Sequence, residues 1–369
     1  MKKMTHKTVR KQAPVEKFEA YIGLDLGGIR CHFCELDADG DVVEEGTVRS
    51  TEAALSKRFG PMARARIVIE SGPSSRWIDE LLKSLGHDVI VANPRKVKAI
   101  FGNENKCDKV DAEMLARLGR TDPKLLSPVT HRSQNAQAGL RLVRSRDIVV
   151  RNRSMQINTV RGQCKAAGVL LPPMDSACFA KRAKLLLPEN LLPELEPLLD
   201  SIGQLSEVVA RYDRMLQERA DELAPAARKL TQVPGVGLLT AVTFVLTIDD
   251  AKRFENSRKV ASYLGLRPGR DQSCGPDKEL PITKCGDRRM RYLLVQCANV
   301  ILKKNGADTE LRRWGLQLAG TGKNAKKRAV VAVARKLAVL LHRLWVTGRD
   351  YDPNWYSAWQ TANRPAGVA

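Results

Sequence analysis

The sequence is poor in aromatic residues: Phe, Trp and Tyr make up only 5% of its 369 positions. It also lacks any uninterrupted apolar run of the ~18 residues that a membrane helix requires. The nearest candidate, Ala329 to Val346, is broken by Arg335, Lys336, His342 and Arg343. The basic start, MKKMTHKTVRKQ, lacks the apolar stretch of a secretory signal. Residues 1–19 are therefore expected to form a basic disordered arm, and the chain to be cytoplasmic with no membrane partner. Its eight cysteines fall into no disulfide framework. One close pair, Cys31-x-x-Cys34, has no second CxxC or HxxxH to complete a zinc site, so alternation along a strand explains it better.

What is present is a hydrophobic fraction of 43% and a charged fraction of 28%, the balance of a globular protein rather than a disordered chain. Sixty-two Lys and Arg face 41 Asp and Glu, a net +21. A surplus of that size points to a polyanionic partner, nucleic acid first. It is unevenly placed, with +3 on residues 1–130, +5 on 131–230 and +13 on 231–369. Within the middle part, residues 131–170 carry +7 and residues 171–230 carry −2.

Residues 20–120 alternate between strand and helix patterns. AYIGLDLGG, CHFCELDADGD and VVEEGTVRS read as three strands with a turn at Asp39-Gly40, followed by a helix over Thr51 to Arg58. RIVIES and DVIVAN are further strands, each followed by a helical pattern, and Asp108 opens the helix DKVDAEMLARLGR. Three antiparallel strands followed by strand–helix units match a ribonuclease-H-like α/β domain over residues 20–130. Ser133 to Gly168 reads as one long helix with Arg141, Arg144 and Arg151 on its polar face, within a helical coiled-coil linker over 131–228. Residues 229–350 read as an all-helical domain, with residues 351–369 as a tail.

Four acids stand out in the first part. Asp25 interrupts a buried apolar run, Glu70 ends the fourth strand, and Asp108 and Asp111 share one face of a helix opening. First and fourth strands are neighbours in this topology, so Asp25 and Glu70 can face one another. Such hard oxygen donors suit Mg²⁺ (or Mn²⁺) and phosphodiester chemistry. Taken singly, each acid favours a structural role, Asp108 as an N-cap with Asp111 complementing the helix dipole; as a set in this strand order they favour a metal site.

In the basic part, VPGVG places Gly235 and Gly237 between apolar segments, as in a helix–hairpin–helix that offers backbone amides to phosphate. Beyond it lie Ser273, then Lys278, Lys284, Arg288, Arg289 and Arg291. The cations suit a phosphate under attack. From the residues alone Ser273 is more readily a turn residue than a nucleophile, and Cys274 beside it is a rival.

GLDLGG, VIESGP and KCDKVDAEMLARL resemble the DEDD motifs of the IS110 family of bacterial insertion-sequence transposases, including its IS1111 branch. VPGVGLLTA, ASYLGLRPGRDQSCG and ITKCGDRRMRYLL resemble that family's C-terminal transposase domain, so the likeness runs from about residue 20 to residue 303. The family's Ser-(Ser/Thr)-Gly pattern reads Ser273-Cys274-Gly275 here, which departs at the second position and leaves Ser273 as the implied nucleophile. The resemblance implies that the domain over residues 20–130 is RuvC-like and that the chain is an RNA-guided DNA recombinase in a bacterial cytoplasm, with Asp25, Glu70, Asp108 and Asp111 holding Mg²⁺. It implies a structured non-coding guide RNA pairing with donor and target DNA, a 5′-phosphoserine intermediate, and a dimer of dimers whose protomers share each site. Two other readings fit parts of the sequence: a Mg²⁺-dependent junction nuclease without a covalent intermediate, and an actin-like or sugar-kinase ATPase, whose phosphate loop Asp25-Leu-Gly-Gly resembles.

Overall fold

The computed structural model describes residues 16–100, 107–271, 278–320, 322 and 324–354. The chain forms two units, residues 1–131 and 132–369. The first opens with strands β1 (Tyr21–Asp25), β2 (Arg30–Leu36) and β3 (Val42–Arg49), then helix α1 (Glu52–Phe59), β4 (Arg66–Glu70), α2 (Ser75–Ser84), β5 (Asp88–Ala92), α3 (Pro94–Ile100) and α4 (Asp108–Thr121). The sheet order is β3-β2-β1-β4-β5, with β1 antiparallel to β2 and parallel to β4. The neighbouring of first and fourth strands expected from the element order is therefore present.

Strand alternation assigns the two faces of this sheet. Ile22, Leu24, Cys31, Ile67 and Ile69 bury against α1 and α2 through Leu55, Phe59, Ile78 and Leu82. Tyr21, Cys34 and Leu36 bury on the other face against Ala112 and Ala116 of α4. Cys31 and Cys34 thus lie on opposite faces, as alternation requires, and cannot share a metal. Phe18 joins the α4-side core and Glu16 pairs with Arg64 at 2.7 Å. Residues 16–19 consequently belong to the fold and not to a disordered arm; residues 1–15 lie outside the described residues.

The second unit begins with α5 (Gln134–Ala166), whose N-cap Ser133 accepts from the Ala136 amide. Helices α6 (Phe179–Leu186) and α7 (Leu192–Leu223) follow. Contacts of Asn135 with Glu222, Arg146 with Asp213, and Arg153 with Ser206 run in opposite chain directions, so α5 and α7 are antiparallel. Then come α8 (Ala227–Leu230), α9 (Leu238–Ile248), α10 (Ser257–Tyr263), β6 (Pro268–Asp271), β7 (Lys278–Ile282), α11 (Arg288–Ile301), α12 (Glu310–Leu318) and α13 (Ala325–Thr347).

Two expectations are corrected here. The C-terminal part is not all helical, because β6 and β7 pair as an antiparallel ribbon. Nor does the unit divide at 228/229: Ala136, Leu140 and Val143 of α5 and Leu216 and Leu223 of α7 share one core with α9, α11 and α13. The far halves of α5 and α7 close a separate core with Phe179 and Ala183 of α6. The unit also extends past residue 350, since Tyr351 donates its amide to Gln232 and the Pro353 carbonyl accepts from Glu310.

Candidate active site

The acids of the first unit are gathered by strand parity and one close backbone approach. Asp25 ends β1 with the parity of Tyr21 and Gly23, which puts it on the α4 face. Glu70 ends β4 with the parity of Val68, which buries on that same side against Leu115 and Leu118 of α4. The last pairing of the two strands, Leu24 with Ile69, brings Asp25 and Glu70 to the same edge.

Helix α4 crosses this face at Gly23. A Cβ on Gly23 would lie 1.8 Å from the Ala112 carbonyl oxygen and 2.6 Å from the Ala116 nitrogen, so the helix backbone rests directly on β1. Lys109 is held to Glu45 of β3 at 2.5 Å, and Arg120 donates to the Asp39 carbonyl at 2.5 Å. The first contact ties the opening turn of α4 to β3, and the second ties its last turn to the turn between β2 and β3. Cys107, not Asp108, is the N-cap, and Asp108 and Asp111 both occupy the first turn. Two carboxylates there are favourable to the helix dipole whatever else they do.

Ligand atoms of Asp25, His32 and Asp108 all lie within 4.8 Å of one another. His32 was not singled out by the sequence analysis. It is the cross-strand partner of Asp25, so alternation points both side chains to one face. Its Nδ1 is 3.7 Å from Asp108 Oδ2. Glu70 and Asp111 stand on the same face and helix turn but outside this closest group. The donor chemistry fits a divalent cation: two carboxylates and an imidazole with open surroundings for water and phosphate. Nearby, burial pushes the Cys31 thiol up, assisted by the charge of Asp25, which leaves it an inert core residue.

In the second unit the candidate cations separate into two kinds. Arg288, Lys284, Arg141 and Arg144 are exposed. Arg289 and Arg151 instead converge on Asp147 of α5, which is only 4% exposed, and Arg289 also lies over the Tyr292 ring. Burial lowers the pKa of Arg289 below its ordinary value. Arg291 donates to the carbonyls of Leu264, Cys285 and Gly286. Arg289 and Arg291 brace the fold, a role the sequence could not distinguish from that of Arg288, whereas the Arg151 side chain pairs with Asp147 and stays 67% exposed.

The hairpin glycines also differ from one another. Gly235 adopts φ +86° with its Cα packed near Ile301 and Cys297, whereas Gly237 is the exposed N-cap of α9. The helix before them, α8, is a single turn. Gly265 and Gly286, both at positive φ, let the α10 terminus and the loop between β7 and α11 interlock at backbone distance. Ser273 and Cys274 lie outside the described residues, as does the side chain of Lys278.

An acid-bearing strand edge beneath a helix opening, in a sheet of order 3-2-1-4-5, defines a RuvC-like DEDD domain. Residues 22–167 match the DEDD transposase family of IS110, and residues 227–312 match the family described as Transposase IS116/IS110/IS902. The two matches together span well over half of the chain. Among relatives, the transposase of insertion sequence element IS1328 from Yersinia enterocolitica is 28% identical, covering 77% of this chain and 84% of the relative. The transposase of element IS1111A from Coxiella burnetii is 25% identical, covering 89% and 90%. A pilin gene-inverting protein of Moraxella bovis is 24% identical over 72% and 75%. The chain belongs to the IS110 family of insertion-sequence transposases and is a DNA transposase. Its DEDD domain uses a divalent metal, and no helix among the described residues is long and apolar enough to cross a membrane.

Proposed function

We propose that this transposase is a Mg²⁺-dependent (or Mn²⁺-dependent) recombinase that cuts and rejoins DNA through a 5′-phosphoserine link on Ser273. The reading rests on the convergence of Asp25 and Asp108 at one edge of a family-matched DEDD domain. Asp25, Glu70, Asp108 and Asp111 would hold the cation, which when bound would stabilise charge on the attacking and leaving oxygens at a phosphodiester. Ser273 Oγ attacks the DNA phosphate, its proton leaves to a base or water, and the departing strand keeps its 3′-oxygen. The phosphoserine conserves the energy of the broken bond, so the strand can be rejoined to a new partner. A relative named a pilin gene-inverting protein is in keeping with strand exchange rather than simple cleavage.

A structured non-coding RNA guides donor and target selection, and a dimer of dimers supplies the acids and serine of each site. The exposed Arg288, Lys284, Arg141 and Arg144, with the Gly237 amide end of α9, form the phosphate-binding surface. The deciding experiment is a denaturing gel of labelled DNA with wild type and Ser273→Ala, followed by mass spectrometry of the linked peptide. Ser273→Ala is expected to abolish the adduct and strand exchange while DNA binding persists. An adduct that survives Ser273→Ala, or maps to Cys274, refutes the serine step; cleavage without any adduct in the wild type establishes the junction-nuclease reading instead.

A further inference from the structure

We propose that His32 is a nitrogen ligand of the divalent cation in the first unit and makes that site favour Mn²⁺ over Mg²⁺. The inference rests on the cation being held by the DEDD acids, as argued above. His32 faces Asp25 across β1 and β2 and reaches toward Asp108 at the opening of α4. Its Nδ1 stands 3.7 Å from Asp108 Oδ2, too far for a hydrogen bond. The spacing suits two ligands of one ion. With metal–ligand bonds of about 2.1 Å, neighbouring octahedral ligands are about 3.0 Å apart and opposite ones about 4.2 Å.

The whole group spans 4.8 Å, so closure onto an ion needs a shift of about half an ångström. The Asp108 side chain is 50% exposed and the His32 side chain 35% exposed, which leaves both able to make that shift. The donor set then becomes two carboxylates and an imidazole. Mg²⁺ demands hard oxygen ligands and dehydrates reluctantly, whereas Mn²⁺ accepts both oxygen and imidazole nitrogen. An all-carboxylate site has no such preference built in. His32 therefore adds selectivity that the four acids alone do not provide.

The test uses the full chain with Mn²⁺ as the probe. In the wild type, electron spin echo envelope modulation of bound Mn²⁺ should show coupling to a nitrogen. His32→Ala should lose that modulation and bind Mn²⁺ at least about tenfold more weakly, with a much smaller change for Mg²⁺ in competition. His32→Asp should retain binding but shift the preference toward Mg²⁺. Asp25→Asn separates this inference from the reading beneath it. If Asp25→Asn loses Mn²⁺ while His32→Ala binds it as the wild type does, the ion is held by acids alone and His32 is no ligand. If the wild type itself binds no Mn²⁺, or Asp25→Asn binds it normally, the acid site and the inference fall together.

Discussion

Gly23→Ala tests whether one close backbone approach assembles the catalytic edge. The added Cβ would sit 1.8 Å from the Ala112 oxygen, 2.6 Å from the Ala116 nitrogen and 2.9 Å from the Ala112 carbonyl carbon. All three are main-chain atoms of α4, so no side chain can swing away. Restoring an ordinary contact near 3.4 Å requires α4 and β1 to separate by about 1.6 Å. Ala112 and Ala116 are 1% and 0% exposed, so the separation also opens a gap in a dry contact. Overpacking of this kind costs about 1–3 kcal/mol, and the rigid neighbours put Gly23→Ala at the upper end. Asp108 rides on the displaced helix, so a separation of about 1.6 Å adds to the closure of about half an ångström that the site already needs. Mn²⁺ affinity should therefore fall at least about tenfold. Gly28→Ala is the control, because a Cβ there meets nothing within 4 Å. Hydrogen exchange read by mass spectrometry on peptides from β1 and α4, with a Mn²⁺ titration, measures both effects. Exchange within about 0.5 kcal/mol of wild type, together with unchanged Mn²⁺ affinity, would refute the claim that Gly23 positions the acids.

Two further outcomes follow from the second unit. Arg288→Ala should lower the salt dependence of nucleic-acid binding by about one unit of slope and leave stability within about 0.5 kcal/mol, as read by anisotropy against salt and by thermal melts. Arg289→Ala should do the reverse: it leaves buried Asp147 with Arg151 alone and costs about 1–3 kcal/mol, with little change in slope. His342 is 1% exposed, with its ring nitrogens bonded to Ser257 Oγ at 3.0 Å and the Ala251 carbonyl at 2.9 Å. Burial depresses its pKa, so the unfolded chain takes up a proton first as the pH falls below about 6.5. The stability that neutral His342 contributes is full above that pH and is lost below it. The melting temperature should therefore drop less between pH 7.5 and 5.5 in His342→Asn than in the wild type, and an equal drop would count against this role.

By itself the sequence determined what local chemistry determines. The short apolar runs of β1 and β4, the turn at Asp39-Gly40 and the unbroken helical pattern from Ser133 specified the strand order and the long helix, because those signals act over a few residues. The four acids could be named because an acid inside GLDLGG contradicts its apolar surroundings. Tertiary structure decided the rest, because it depends on residues far apart in the chain. Which helix crosses β1 rests on Gly23 meeting Ala112 and Ala116, a contact no periodicity encodes. His32 faces Asp25 only because the antiparallel pairing of β1 and β2 puts them opposite one another, next to Leu24 and Phe33. Arg288 and Arg289 are identical neighbours in sequence, yet one helix step turns the second onto buried Asp147 and leaves the first exposed to solvent. Phe18, read as part of an arm, is core because it packs edge-on against the Tyr21 ring in a cluster with Cys34 and with Ala112 and Ala116 of α4.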